Sequence, residues 1–128
     1  MIVEVVKEKV YVPEWNGNRD LPEADQIKVY HRFLSPSERG KFFYRKPLRI
    51  KVSGETESSL EYVSDEAGFV KSVVTKIENY AISEDGDIKE IKTADQLYST
   101  GGVHQMLVSE IEQALLNDSP QVDTGPLA

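Results

Sequence analysis

The sequence predicts a single α+β domain: a β-rich N-terminal half of antiparallel strands, then a helical half carrying an inserted β-hairpin. Three observations predict it. Strand-type residues crowd 2–12 and alternate with polar ones over 26–34 and 48–52. After Ser64 the apolar spacing changes to three and four residues, as on one face of a helix. Asp85-Gly86, the turn signal of a tight hairpin, then interrupts the helical half. A chain of 128 residues has room for one core. The predicted folded domain spans 1–117, with 1–63 mainly β and 64–117 mainly helical, and 118–128 is a polar tail.

In chain order, Ile2, Val3, Val5, Val6, Val10, Tyr11 and Val12 form one bulged strand or two short ones around Lys7-Glu8-Lys9. Ile27, Val29, His31 and Phe33 share one side of the next strand, which is expected to pair antiparallel with the first. The intervening 13–22, with two prolines and Asn16-Gly17, reads as an ordered loop holding the only tryptophan, Trp15. Ser35-Pro36-Ser37-Glu38 is a helix start with a capping box; Gly40 weakens that helix and Pro47 must end it. Leu48, Ile50 and Val52, then Leu60, Tyr62 and Val63, suggest a hairpin with an acidic loop over 54–58.

In the second half, Ser64 or Asp65 caps a helix that buries Phe69, Val70, Val73, Val74, Ile77 and Tyr80. A hairpin over 80–91 follows, with Ile82 and Ile88 as apolar anchors. Thr93-Ala94-Asp95-Gln96 is another capping box, for a short helix burying Leu97. Gly101-Gly102 stops it. Val103, Met106, Leu107, Ile111, Ala114 and Leu115 then make one stripe of a last helix ending near Asn117.

The same residues exclude several chemistries. With no cysteine there are no disulfides, thiolate metal sites or thiol nucleophiles, which suits a reducing cytoplasm. No apolar run approaches the ~18 residues of a membrane span, and no secretion signal is expected at the start. His31 and His104 have no partners at metal-ligand spacing and read as packing or surface residues. Glu84, Asp85, Asp87 and Glu90 fail the spacing of a calcium loop and read as a solvated hairpin tip. No phosphate loop, dinucleotide fingerprint or nucleophile elbow is present, so neither a cofactor nor an enzymatic activity is expected.

Charge is uneven. Residues 1–52 carry 11 Lys/Arg against 7 Asp/Glu, while 53–128 carry 4 against 15. Two faces with different partners, or head-to-tail self-association, would account for this, as would simple solvation of both halves. The basic excess concentrates in Arg39, Lys41, Arg45, Lys46, Arg49 and Lys51, around Phe42-Phe43-Tyr44. Basic residues interleaved with aromatics suit single-stranded nucleic acid. The net charge of −7 opposes that reading, so a protein-docking face or a protected sheet edge is expected instead.

Val12-Pro13-Glu14-Trp15-Asn16-Gly17-Asn18 with Leu21-Pro22 and Gln26-Ile27 resembles the beginning of small proteins from phage tail-gene clusters. So does the second half, with Val74-Thr75-Lys76-Ile77-Glu78-Asn79, then Ile91-Lys92-Thr93-Ala94-Asp95-Gln96-Leu97, then Val108-Ser109-Glu110-Ile111 and Ala114-Leu115-Leu116. The order is similar to that of tail assembly chaperones of long-tailed phages. Residues 39–59 and 118–128 depart from the pattern.

The resemblance implies a non-enzymatic protein of the host cytoplasm that binds the tape-measure protein and tail-tube subunits and then leaves the finished tail. The alternatives are a structural virion protein, such as a tail or head-completion subunit, and a small nucleic-acid-binding or inhibitor protein using 39–51. A chaperone for a helical client needs an apolar groove with a charged rim. Val70, Leu107 and Ile111 are the groove candidates, with plain core as the competing reading. Trp15 either caps the core, the expected role, or anchors a partner. Self-association is also open.

Overall fold

A computed structural model describes residues 1–5, 7–52, 54–100, 104–118 and 122–123. The elements in order are β1 (Glu4–Val5), β2 (Glu8–Tyr11), β3 (Lys28–Arg32), α1 (Pro36–Arg39), β4 (Phe43–Val52), β5 (Glu55–Ser64), α2 (Glu66–Val73), β6 (Val74–Glu78), β7 (Ala81–Glu84), β8 (Asp87–Glu90), α3 (Ala94–Ser99), α4 (Gln105–Asn117) and β9 (Val122–Asp123). The α+β class and the drift from strands to helices along the chain agree with the sequence pattern. None of the described helices is long and apolar enough to cross a membrane.

The centre of the fold is an antiparallel sheet in the order β2-β3-β6, covered by α2, α3 and α4. Val29 lies opposite Ile77 across β3 and β6, and both are buried. They meet Phe69, Val70 and Val73 of α2, Ile91, Ala94 and Leu97 at α3, and Leu107, Ile111 and Leu115 of α4. Each fully buried aliphatic side chain of this set stabilises the fold by roughly 1.5–3 kcal/mol.

Segment 2–12 is two short strands in different sheets. β2 joins β3, while β1 pairs antiparallel with β9, so part of the tail expected to be unpacked returns to the N-terminus. Asp118 also reaches back, 3.1 Å from the Lys9 ammonium.

The loop over 13–22 is ordered by its asparagines. Asn16 and Gly17 take left-handed φ values of 54° and 72°, which these residue types tolerate. The turn directs Asn18 inward, only 2% exposed. Its amide donates to the carbonyls of Pro13 (2.8 Å) and Ile27 (3.2 Å), and its oxygen accepts the Ile27 amide (2.6 Å). Asn79, at φ 61°, closes the other end by donating to the carbonyls of Ala24 and Gln26.

The helix expected to continue to Tyr80 stops at Val73. Asp65 caps its start, accepting the Gly68 amide at 3.0 Å. The chain then turns extended at Val74, and β6 adds to β3. Val73, Val74, Thr75 and Ile77 are β-branched, and the open edge of β3 offers a backbone ladder that outweighs seven more helical residues. A register shift between Tyr30 and His31 accommodates the entry into the strand.

The remaining second half follows the sequence more closely. Asp85 and Gly86 take φ values of 53° and 86° and close the β7–β8 hairpin. Ile82 packs on the core, but Ile88 is exposed, so only one of the expected anchors anchors. The Thr93–Gln96 and Ser35–Glu38 capping boxes both form. Met106 lies off the buried stripe of α4 and is exposed. Gly101, Gly102 and Val103 lie outside the described residues, as does most of 119–128.

Candidate interaction surface

The largest departure from the sequence reading is the region between α1 and α2. The acidic loop expected over 54–58 is strand from Glu55 onward. β4 and β5 pair residue for residue from Phe43↔Ser64 to Val52↔Glu55, so the pairing reaches to within two residues of the reversal. Gly54 has a φ of 83°, the left-handed value a two-residue hairpin turn requires. Ten paired residues at ~3.4 Å each make an arm roughly 30 Å long.

Among the described residues, the arm's side-chain and backbone ties to the rest of the fold lie at its root. The Asp65 amide donates to the Phe42 carbonyl at 2.8 Å. Phe42 and Phe43 meet the Phe69 ring edge-on, with centroids 6.5 and 5.3 Å away, and the Arg39 guanidinium lies about 5 Å from the rings of both Phe43 and Phe69. Beyond the root, among the described residues, β4 and β5 pack substantially only on each other.

Residues opposite one another in an antiparallel pair share a side of the ribbon, and sides alternate along each strand. One side of the arm carries Arg45 with Tyr62, Pro47 with Leu60, Arg49 with Ser58, and Lys51 with Thr56. It holds three cations and no acid. Tyr62 and Leu60 are each 64% exposed. The other side carries Tyr44 with Val63, Lys46 with Glu61, and Leu48 with Ser59. Lys46 and Glu61 form an open ion pair at 3.9 Å, and Tyr44 and Leu48 are exposed.

The two edges of the arm also differ. In a two-residue hairpin the pair flanking the turn is hydrogen-bonded and the pattern alternates from there, so Pro47↔Leu60 falls at a non-hydrogen-bonded position. The missing proline N–H therefore costs no rung and instead interrupts the outer edge of β4, which Arg45, Arg49 and Lys51 also guard. β5 has no proline, and its outer edge keeps a full row of backbone donors and acceptors.

The six basic residues singled out from the sequence are thus divided. Arg39 is held at the root on two aromatic rings, Lys41 is exposed beside it, and Lys46 is on the far side. Only Arg45, Arg49 and Lys51 share one side of the ribbon. This division is a poor match to a continuous track for a nucleic acid backbone.

The groove candidates fare differently. Val70, Leu107 and Ile111 are each 1% exposed and belong to the core, so no groove presents them. The spacing that suggested a client stripe is the spacing that buries α4 against α2. Trp15 is half-buried and meets Tyr80 edge-on at 5.9 Å, closing one end of the core as expected.

Two polar features escaped sequence reasoning. Glu110 of α4 accepts hydrogen bonds from the Tyr11 hydroxyl and from the amides of Glu14 and Trp15. Burial, together with this carboxylate, pushes the Tyr11 phenol up to about 12. His104, fully buried at the start of α4, shares a short hydrogen bond with the Tyr80 hydroxyl through Nδ1, and its Nε2 has no partner among the described residues. Burial lowers its pKa. Only the position of Glu110, one turn after Leu107 and next to Ile111, hinted at an inward-leaning carboxylate.

An open groove of about 730 Å³ runs along β6 to the start of α3, lined by Lys28, Lys76, Glu78, Tyr80, Glu90 and Lys92 among others. Each of its lysines is already matched to a carboxylate: Lys76 to Glu78 at 2.7 Å, Lys92 to Glu90 at 3.0 Å, Lys28 to Glu23 at 3.8 Å. It therefore offers no concentrated charge for an anionic ligand. Among the described residues no cluster of three metal-ligating side chains occurs. The arm is the surface best equipped to engage another molecule. In comparisons with known proteins, no family model, no curated protein and no solved structure matches the chain.

Proposed function

We propose that this protein is a non-enzymatic tail assembly chaperone of a long-tailed phage, working in the host cytoplasm. It binds the tape-measure protein and tail-tube subunits during tail morphogenesis, with the β4–β5 arm as its docking element. The observation that supports the reading is the arm itself: a ribbon about ten residues long, exposed on both sides, with apolar residues on each. A two-stranded hairpin is at best marginally stable alone in water, and exposed apolar surface of this kind marks a contact site. Tyr44 and Leu48 supply the apolar contact for the client, and the unguarded edge of β5 accepts an extended segment by strand addition.

The test is co-expression with the tape-measure and tail-tube proteins, followed by mass spectrometry of purified tails. The chaperone reading expects a complex before assembly and no copies in the finished tail. Stoichiometric copies in the tail would replace it with the second reading, a structural virion subunit. The same arm favours that alternative, since a long ribbon also suits a permanent clasp on a neighbour.

A further inference from the structure

We propose that the basic side of the β4–β5 arm docks on the acidic β7–β8 hairpin of a second copy of this chain, so that copies associate head to tail. This does not depend on the identity of the client, because it uses the side of the arm opposite Tyr44 and Leu48.

The two patches are opposite in charge, and an exposed apolar side chain lies at each. On the arm, Arg45, Arg49 and Lys51 flank Leu60 and Tyr62, and no acid lies on that side. On the β7–β8 hairpin, Glu84, Asp85, Asp87 and Glu90 are all exposed; the 76% exposed Ile88 shares a side with Glu90, and Glu84 and Asp87 lie on the other side next to the tip. Glu84 is paired with Lys89 at 3.3 Å and Glu90 with Lys92 at 3.0 Å. Asp85 and Asp87, at the tip, have no ion partner among the described residues. Neither do Arg45, Arg49 and Lys51.

Within one chain the patches do not meet: among the described residues no ion pair or hydrogen bond joins β4 or β5 to β7 or β8. Their complementarity is satisfied only by another molecule. The patches differ from each other, so the contact is heterologous and leads to a closed ring or an open chain of subunits. A nucleic acid would meet the same three cations, but residues 53–128 carry 15 acids against 4 bases and would repel a polyanion. Exposed leucine and tyrosine between the cations fit a protein surface better.

The experiment measures self-association of the full chain by analytical ultracentrifugation, at low and high salt. Two charge-reversal variants are compared, Arg45→Glu with Arg49→Glu, and Asp85→Lys with Asp87→Lys. All four positions are exposed, so both variants are expected to keep the circular dichroism and thermal midpoint of the parent. The parent should associate, more weakly as salt rises, because charges at an interface rim are screened. Each variant alone should associate roughly tenfold more weakly or not at all. Mixing the two should restore association, since each then offers the complement of the other. A parent that stays monomeric at low salt, variants that associate like the parent, or a mixture that stays monomeric would overturn the proposal. So would a monomeric parent whose salt-sensitive binding to a single-stranded oligonucleotide is lost in the arm variant.

Discussion

The carboxylate of Glu110 accepts the backbone amide of Trp15 at 2.9 Å. Its second oxygen takes the amide of Glu14 at 2.7 Å and the hydroxyl of Tyr11 at 2.6 Å. One side chain of α4 thereby holds the end of β2 and the turn carrying the tryptophan that closes the core. Hydrogen bonds to a charged group contribute about 1.5–3 kcal/mol, so Glu110→Ala is expected to destabilise by about 2–3 kcal/mol in urea unfolding. In site-resolved NMR titration of Glu110→Gln, the Tyr11 pKa should fall from about 12 but stay above 10.0, because burial is the larger cause of its shift. A loss below about 0.5 kcal/mol would mean that the turn holds without this carboxylate.

Asn18 makes the complementary prediction on the other side of the same turn. Replacing it with alanine removes the acceptor of the Ile27 amide and the donor to two carbonyls, all buried. The orphaned amide makes this costly, about 2–4 kcal/mol. Denaturant unfolding checks it, and a variant as stable as the parent would show that solvent reaches the site.

Leu107 and Tyr44 should behave oppositely. Leu107→Ala empties a fully buried site and is expected to cost about 2–5 kcal/mol. Tyr44→Ser with Leu48→Ser alters only the exposed arm and should change stability by no more than about 0.5 kcal/mol. Thermal unfolding of both distinguishes core from contact surface.

Stability should also depend on pH through the histidines. Burial lowers the pKa of both His104 and His31 from 6.5; around His31, Lys9 adds to the lowering while Asp118 and Glu8 oppose it. Between each folded pKa and 6.5 the unfolded chain therefore binds more protons than the folded one, so stability rises with pH. The contribution is complete above 6.5 and is lost as pH falls through the folded values, at no more than about 1.4 kcal/mol per pH unit for each group. Unfolding free energies measured downward from neutral pH should show this slope, and His31→Gln with His104→Gln should flatten it. An unchanged slope in the double variant would assign it to carboxylates.

Much of the frame was legible because local chemistry decided it. The Ser35–Glu38 and Thr93–Gln96 boxes and the Asp85-Gly86 turn need only their own residues, and all three form. Val74 to Ile77 was misread because its spacing satisfies a helix as well as a strand; the choice was made by the edge of β3, more than 40 residues away. The arm was half legible. Alternation showed its strands, but the acids over 54–58 looked like a loop, whereas the pairing continues to Val52↔Glu55. The roles of Asn18 and Glu110 were missed because their partners, backbone groups and for Glu110 also the Tyr11 hydroxyl, are brought close only by the fold. Val70, Leu107 and Ile111 were read as groove candidates but are core, because sequence alone could not say which side of α2 and α4 another element covers.

The central claim, that the arm is the docking element for a client, is tested most directly by titrating purified tape-measure protein into the parent and the Tyr44→Ser, Leu48→Ser variant by calorimetry. The account predicts binding to the parent and at least about a tenfold loss of affinity, about 1.4 kcal/mol, in a variant that remains equally stable. Equal affinity for both proteins would contradict it.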